Sequence, residues 1–193
     1  MPQLIVIIGS TRPGRAGLPI ADWFVERARR HGGFDVEVAD LAEIRLPMFD
    51  EPHHPRLRTY TKSHTRQWSE WVDRSDAVVM VTPEYNYGYP ATLKNAVDYL
   101  HQEWQDKPVG FVSYGGVAAG TRAVQQLKQV LTTLRMVPVV EAVSIPFHAQ
   151  LIAADGRLRA NEVMDKAADD MLGELLRLDR GLRLLREERR AAG

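Results

Sequence analysis

Hydrophobic residues along this chain fall into short runs, and the longer stretches between the runs carry apolar residues at helical spacing. The first run, residues 4–8, is rich in β-branched side chains, which favours a strand buried on both faces. Four further strands are predicted from continuous or alternating apolar patterns, at residues 34–39, 76–82, 109–112 and 137–145. The last of them is expected to kink near Glu141.

Helices are predicted between and after these strands, from Leu18 onward and at residues 59–73, 92–104, 120–135 and 161 to beyond 185. Regular alternation of strands and helices predicts an α/β fold, with a five-stranded parallel sheet covered on both faces. The loops after the first, third and fourth strands are polar and rich in glycine. Because the carboxyl ends of parallel strands share one edge, we expect these three loops to meet there.

Composition excludes several classes of protein. The chain has 193 residues, 45% of them hydrophobic, and its 25 basic side chains equal its 25 acidic ones. This balance gives no electrostatic support for a nucleic-acid or membrane partner. The absence of cysteine excludes thiolate catalysis and cysteine-ligated metal, and it fits a cytoplasmic protein. No apolar run approaches the ~20 residues that a membrane-spanning helix needs.

A single domain is expected over residues 1–175, and residues 176–193 are expected to form a charged helix end or tail. This last segment holds six arginines against three acidic residues. Its simplest interpretation is a solvated or fraying end of the final helix.

The loop after the first strand has the composition of an anion site. Gly9-Ser10-Thr11-Arg12-Pro13-Gly14-Arg15-Ala16-Gly17 joins the strand to a helix N-terminus. Unpaired backbone N–H groups and the helix dipole favour a phosphate at such a place. The loop matches neither the P-loop nor the dinucleotide-binding signature. The alternative is an ordinary strand-to-helix turn with solvated arginines.

The other two loops are suited to a flat ligand. Tyr85, Tyr87 and Tyr89 offer planar faces, Asn86 offers a donor and an acceptor, and Gly88 allows close backbone approach. Ser113-Tyr114-Gly115-Gly116 follows the fourth strand. A phosphate site beside an aromatic, glycine-lined slot fits a mononucleotide with a large planar head, and FMN meets that description.

Three segments carry a resemblance to a known family. Gly9-Ser10-x-Arg12, Pro83-Glu84-Tyr85-Asn86-Tyr87 and Ser113-Tyr114-Gly115-Gly116 resemble the NADPH-dependent FMN reductase family, and the likeness extends over about residues 3–150. The resemblance implies a flavodoxin-like three-layer sandwich with strand order 2-1-3-4-5. It further implies an enzyme that passes hydride from NADPH or NADH to bound FMN and then to a flavin, quinone, azo compound or similar small-molecule acceptor.

The resemblance also implies which residues bind the cofactor. Ser10, Thr11 and Arg12 would hold the FMN phosphate together with the loop through Gly17 and Leu18, and Arg15 would supplement them. Pro83, Glu84, Tyr85, Asn86 and Tyr87 would line the ribityl chain and the isoalloxazine, while Ser113, Tyr114, Gly115 and Gly116 would meet the opposite part of the ring. Many members carry a second serine in the first loop, where this chain has Ala16-Gly17-Leu18. No catalytic side chain is expected, because the flavin carries the chemistry.

The same resemblance implies a homodimer or homotetramer with FMN near the interface. Tyr87, Trp104, Phe147 and His148 are candidates for that interface, and packing within one subunit is the alternative for each of them.

Three other functions were weighed. A non-enzymatic FMN-binding electron carrier or redox sensor would share the fold and the loops. A serine hydrolase built on Ser113 and His148 is disfavoured, because Gly110 to Ser113 is one residue too long for a nucleophile elbow. A metal site among Asp50, Glu51, His53, His54 and His64 is disfavoured, because their spacing matches no metal motif.

Overall fold

A computed structural model of the chain describes residues 1–192, and it has the alternating architecture that the hydrophobic pattern predicts. In chain order the elements are β1 (Gln3–Ile8), α1 (Gly17–His31), β2 (Asp35–Asp40), α2 (Leu41–Ile44), α3 (Ser63–Arg74), β3 (Ala77–Pro83), α4 (Ala91–Asp98), β4 (Pro108–Tyr114), α5 (Thr121–Thr133), β5 (Val137–Pro138), β6 (Val143–Ile145) and α6 (Glu162–Ala192). Short 3₁₀ turns at Pro55–Leu57, Gln102–Trp104 and His148–Leu151 complete the chain.

The sheet is parallel throughout, in the order β2-β1-β3-β4-β5, which confirms the predicted strand order. The fifth position differs in detail from the prediction. It is shared by β5 and β6, which both pair with β4, and a non-strand segment at residues 139–142 separates them. The break lies where the kink was expected.

Alternate residues of the central strands face two separate helical layers, which explains the unbroken apolar runs. Leu4, Val6 and Ile8 of β1 pack with α1 and α6, whereas Ile5 and Ile7 pack on the opposite face, against the layer that contains α3, α4 and α5. The side-chain period of two in a strand makes both sets apolar once both faces are covered. The result is a three-layer sandwich.

Helix α4 ends earlier than the sequence pattern indicates. Its apolar spacing continues to Trp104, but the α-helix stops at Asp98 and the chain continues as a 3₁₀ turn at Gln102–Trp104. Trp104 is fully buried: it packs edge-on against Trp68, and its Nε1–H donates to the Val97 carbonyl at 3.1 Å. Of the two alternatives for Trp104, the structure supports packing within one subunit, because the residue belongs to the core.

Helix α6 runs without a break across the boundary expected at residue 175. The interpretation of its last turns as solvated does not hold for Arg186, which is 2% exposed and donates to the carboxylates of Asp76 and Asp179. Gly193, the last residue of the expected tail, lies outside the described residues. No helix within residues 1–192 is both long enough and apolar enough to cross a bilayer.

Candidate active site

The predicted loops meet at one place, along the carboxyl edge of the sheet. They surround a cavity of about 680 Å³, which is within the range of small-molecule and cofactor sites. The cavity is lined by the first loop, by the segments after β3 and β4, and by the chain following β6. The lining residues are Arg12, Gly14, Arg15, Ala16, Pro19, Pro83, Glu84, Tyr85, Tyr114, Gly115, Gly116, His148, Ala149, Ile152 and Gly156.

The first loop leads into a helix whose N-terminus carries no protein cap. Ala16 is the N-cap residue of α1 and makes no side-chain capping bond. The backbone N–H groups of Gly17 and Leu18, in the first turn, have no intrahelical acceptor. Arg12 is exposed and lines the adjoining cavity. These donors fit a single phosphate group, and Thr11 and Leu18 lie exposed beside them.

Ser10 connects the first loop to the aromatic segment after β3. Its side chain is fully buried, and its Oγ lies 2.6 Å from the Tyr85 hydroxyl. Ser10 therefore supports the cavity from below, and its hydroxyl is already engaged. Tyr85 is 39% exposed and forms part of the cavity wall.

Gly17 is required by the close approach of a neighbouring ring. A Cβ at this position would lie 2.6 Å from the Tyr114 hydroxyl oxygen, far inside van der Waals contact. Tyr114 is buried, and its burial, together with the neighbouring Tyr85, raises the pKa of its hydroxyl above the usual value. The hydroxyl is therefore protonated at neutral pH.

The segment after β3 forms a tight two-residue turn. The backbone N–H groups of Tyr85 and Gly88 each donate to the carbonyl of the other, at 2.8 and 2.9 Å. Between them, Asn86 and Tyr87 both have positive φ, at 50° and 71°. Asparagine adopts this conformation readily, whereas tyrosine does so seldom. The turn is therefore held by contacts from outside it.

Helix α5 supplies those contacts. The Arg122 guanidinium lies 3.7 Å from the centre of the Tyr87 ring, and the Gln126 side chain donates to the Tyr87 carbonyl at 3.1 Å. Arg122 also forms an ion pair with Glu84, whose carboxylate accepts the Arg122 backbone N–H at 3.2 Å. The Glu84 carboxylate is thus engaged by α5, although the residue lines the cavity.

The end of β4 and the two glycines after it divide the predicted residues between two faces. Tyr114 and the two glycines line the cavity, but Ser113 faces α5, where a Cβ at Gly120 would come within 3.0 Å of the Ser113 Cβ. The Ser113 hydroxyl is buried and has no hydrogen-bond partner within the described part of the chain. No histidine activates it, which removes the geometric basis for a serine hydrolase.

His148 enters the cavity from the chain that follows β6. Its Nδ1 lies 2.9 Å from the Gly115 carbonyl oxygen, and its ring packs edge-on against Tyr114 with centroids 5.1 Å apart. A carbonyl oxygen only accepts, so this hydrogen bond assigns the proton to Nδ1. The sequence analysis offers His148 as an interface candidate, with packing within one subunit as the alternative, and not as a residue of the cofactor site. Ala149, Ile152 and Gly156 belong to no motif and were missed.

A second cavity, of about 590 Å³, lies between residues 49–56 and the last turns of α4 and α5. It holds several of the residues considered for a metal site. Within it Arg56 donates to His101 at 3.1 Å, and beside it His64 lies 3.0 Å from Asp50. Within residues 1–192, no three His, Asp or Glu side chains are grouped so that they could hold a metal ion.

Known proteins resemble this chain in sequence and in fold. The sequence model of the family described as NADPH-dependent FMN reductase matches residues 2–150. An NAD(P)H-dependent FMN reductase of Schizosaccharomyces pombe is 44% identical over 149 residues, covering 75% of this chain and 74% of the relative. Another, from Nectria sp, is 33% identical over 181 residues, covering 90% and 85%.

Among solved structures, the flavoenzyme FerB of Paracoccus denitrificans, described as an NAD(P)H:(acceptor) oxidoreductase, shares the fold. Its TM-score is 0.74 at 24% identity, and the match covers 94% of this chain and 98% of FerB. The fold likeness and the family match agree, and the chain is a member of the NADPH-dependent FMN reductase family, a flavin oxidoreductase that uses FMN and NAD(P)H.

Proposed function

We propose that this enzyme passes hydride from NADPH or NADH to FMN bound in the cavity of about 680 Å³, and then to a flavin, quinone, azo compound or similar small acceptor. FMN supplies the hydride chemistry when it is bound, and the protein's part is to bind and orient the partners. The observation that carries the proposal is the meeting of the three predicted loops around one cavity of cofactor size. We nominate no side chain as acid, base or nucleophile.

The phosphate is assigned to the first loop and the N-terminus of α1. The uncapped backbone N–H groups there, with the exposed Arg12, supply donors of the right sign. The planar ring is assigned to the space between the Tyr85–Gly88 turn and Gly115–Gly116. A Cβ on Gly116 would meet nothing within 4 Å, so the backbone there is open to a ligand.

Two groups beside the ring site are placed to hold its geometry. The hydrogen bond from His148 Nδ1 to the Gly115 carbonyl fixes the peptide that would approach the ring. The protonated Tyr114 hydroxyl fills the space left by Gly17 and so sets the depth of the cavity. His148 and Tyr114 both act by fixing the shape of the cavity wall.

The decisive experiment is anaerobic mixing of the purified holoprotein with NADPH or NADH, followed by the visible flavin absorbance. We expect extraction to yield FMN and the absorbance to bleach rapidly with at least one of the two donors. Rapid reoxidation by added flavin, quinone or azo dye would then identify the acceptor. A protein that holds FMN but bleaches with neither donor would instead be an electron carrier or redox sensor.

The assembly proposed for the enzyme is a homodimer or homotetramer. Tyr87 and Phe147, near the cavity, are 63% and 51% exposed, a large apolar exposure for side chains of this size. Light scattering coupled to size-exclusion chromatography tests the assembly, and a monomer at micromolar concentration would refute it. The cytoplasmic location stays a prediction of the sequence.

A further inference from the structure

Arg15 lies in the loop assigned to the phosphate, yet its guanidinium makes three hydrogen bonds within the protein. Nη1 donates to Asp40 Oδ1 at 2.8 Å, and Nη2 pairs with Asp40 Oδ2. Nη1 also donates to the Ser10 carbonyl at 2.8 Å. The side chains are only 12% and 7% exposed, for Arg15 and Asp40 respectively. This is the bidentate geometry in which arginine binds a carboxylate most strongly.

Asp40 is itself anchored to the scaffold. It is the last residue of the edge strand β2, and its Oδ1 accepts the Ala42 N–H at 3.0 Å as the N-cap of α2. A carboxylate fixed in this way by strand and helix is a rigid point of attachment. The Asp40–Arg15 pair therefore attaches the glycine-containing first loop to the edge of the sheet.

The attachment continues into the second loop. Arg15 holds the Ser10 carbonyl, and the Ser10 hydroxyl lies 2.6 Å from the hydroxyl of Tyr85. One series of polar contacts thus leads from β2 through the first loop to the wall assigned to the flavin ring. Breaking it at Asp40 would release the loop without removing any group that faces the cavity.

Charge and geometry predict opposite effects of this pair on FMN binding. A carboxylate near a phosphate repels it, so on charge alone Asp40 weakens FMN binding. We propose that Asp40 and Arg15 are positioning residues, which hold the Ser10 carbonyl, and with it the backbone of the first loop, in the conformation that receives the FMN phosphate. The inference rests on the proposed placement of the phosphate at this loop.

The sign of the effect of Asp40→Asn tests the inference. Asparagine keeps an oxygen that can cap α2 but loses the ion pair. Titration of the apoprotein with FMN, followed by fluorescence quenching, should show a Kd raised by about tenfold. Riboflavin, which lacks the phosphate, should be affected much less. Hydrogen exchange of the first-loop amides in the apoprotein should become faster.

Matched variants separate geometry from charge. Asp22→Asn removes the same charge from an exposed position on α1 and should leave the Kd for FMN unchanged. Arg15→Lys keeps the charge but loses the bidentate geometry, and it should weaken FMN binding as Asp40→Asn does. The double variant Arg15→Ala, Asp40→Ala should cost less than the sum of the two single alanine variants, because both single variants remove the Arg15–Asp40 contact.

The inference is overturned if Asp40→Asn tightens FMN binding or leaves it unchanged, or if Arg15→Lys matches the wild type. Arg12→Ala distinguishes that failure from failure of the proposed site. If wild-type protein binds riboflavin as tightly as FMN, and Arg12→Ala changes neither, the phosphate does not lie at this loop. If Arg12→Ala weakens FMN binding while Asp40→Asn does not, only the positioning role fails.

Discussion

The two edges of the central sheet are built in opposite ways. At the amino edge, charged side chains of α6 bind the segments next to the strands. Arg186 donates to Asp179 at 2.5 Å and to the Asp106 carbonyl at 2.9 Å, and Arg189 pairs with Asp106 at 2.6 Å. At the carboxyl edge, backbone turns surround an open cavity, with Asn86 and Tyr87 at positive φ.

The difference shows how one sheet can serve stability and binding at once. Side chains close the amino edge, where the last turns of α6 lie against the segments that lead into β3 and β4. Backbone groups are left uncapped at the carboxyl edge, where the proposed FMN phosphate would complete their hydrogen bonds. Changes at the amino edge should therefore alter folding, whereas changes at the carboxyl edge should alter cofactor binding.

The largest effect is expected from Arg186→Ala. Removing Arg186 leaves the buried Asp179 carboxylate with only the half-exposed Arg183 as a partner, which costs up to about 3–5 kcal/mol of unfolding free energy. Urea denaturation measures the loss, and Arg177→Ala, which breaks an exposed pair with Glu174, is the control that should change little. The comparison of the edges fails if the folded Arg186 variant also loses affinity for FMN.

A pH dependence at the amino edge should come next in size. Lys107 is buried, and burial lowers its pKa to about 7, against 10.5 for the free side chain. Between these values the unfolded chain binds the extra proton, so the free energy of unfolding should rise with pH from about 7 upward, by on the order of 2–4 kcal/mol by pH 9.5.

Lys107→Met isolates this dependence, because the variant has no group to titrate at that position. Urea midpoints of the two proteins, compared from pH 6.5 to 9.5, should differ in slope above pH 7, because only the wild type gains this contribution as pH rises. Measurement stops at pH 9.5 because buried tyrosines with raised pKa values, Tyr60 and Tyr99 among them, lower stability at higher pH. Equal slopes would show that Lys107 is charged in the folded protein.

Gly17→Ala probes the carboxyl edge. The new methyl group must displace the Tyr114 hydroxyl, at a cost of about 1–3 kcal/mol that we expect mainly as weaker FMN retention. Tyr114→Phe removes the clashing oxygen, so the double variant should recover part of the affinity. Equilibrium dialysis measures both, and an unaffected Gly17→Ala protein would show that Tyr114 moves aside freely.

The smallest effect is expected at Asn86. Asn86→Gly keeps the positive φ but removes the side chain, so the turn should persist while the absorption maximum of bound FMN shifts. Asn86→Ala adds conformational strain of about 1 kcal/mol to the same loss. If Asn86→Gly has the wild-type spectrum and only Asn86→Ala is perturbed, the side chain serves the turn and not the flavin.

Most of the fold could be predicted from local patterns in the sequence. Residues 4–8 and 77–82 are buried on both faces in the structure, as the apolar runs there predict, and Asp76 lies just before the second strand. Alternation of strands and helices predicts a parallel sheet with right-handed crossovers, whereas the strand order came from the family resemblance. The sequence pattern did not predict the end of α4. Leu100 and Trp104 are apolar because both are buried in the core, and their spacing does not show whether the backbone between them is helical.

The partners of charged side chains could not be predicted. Arg15 meets Asp40, 25 residues away, and Glu84 meets Arg122, 38 residues away, so neither pairing has a local signature. The sequence shows only that such groups lie near strand ends. Which of them face a ligand and which hold the loops depends on the register of distant elements.

Ile152 and Gly156 form part of the cavity wall, yet both lie beyond residue 150, where the match to the family ends. The cavity therefore has two parts: the segment that the family model matches supplies most of its wall, and the chain after residue 150 supplies one side. If the cavity takes FMN and an acceptor as proposed, substitutions on that side would alter which acceptor fits while the matched segment stays unchanged.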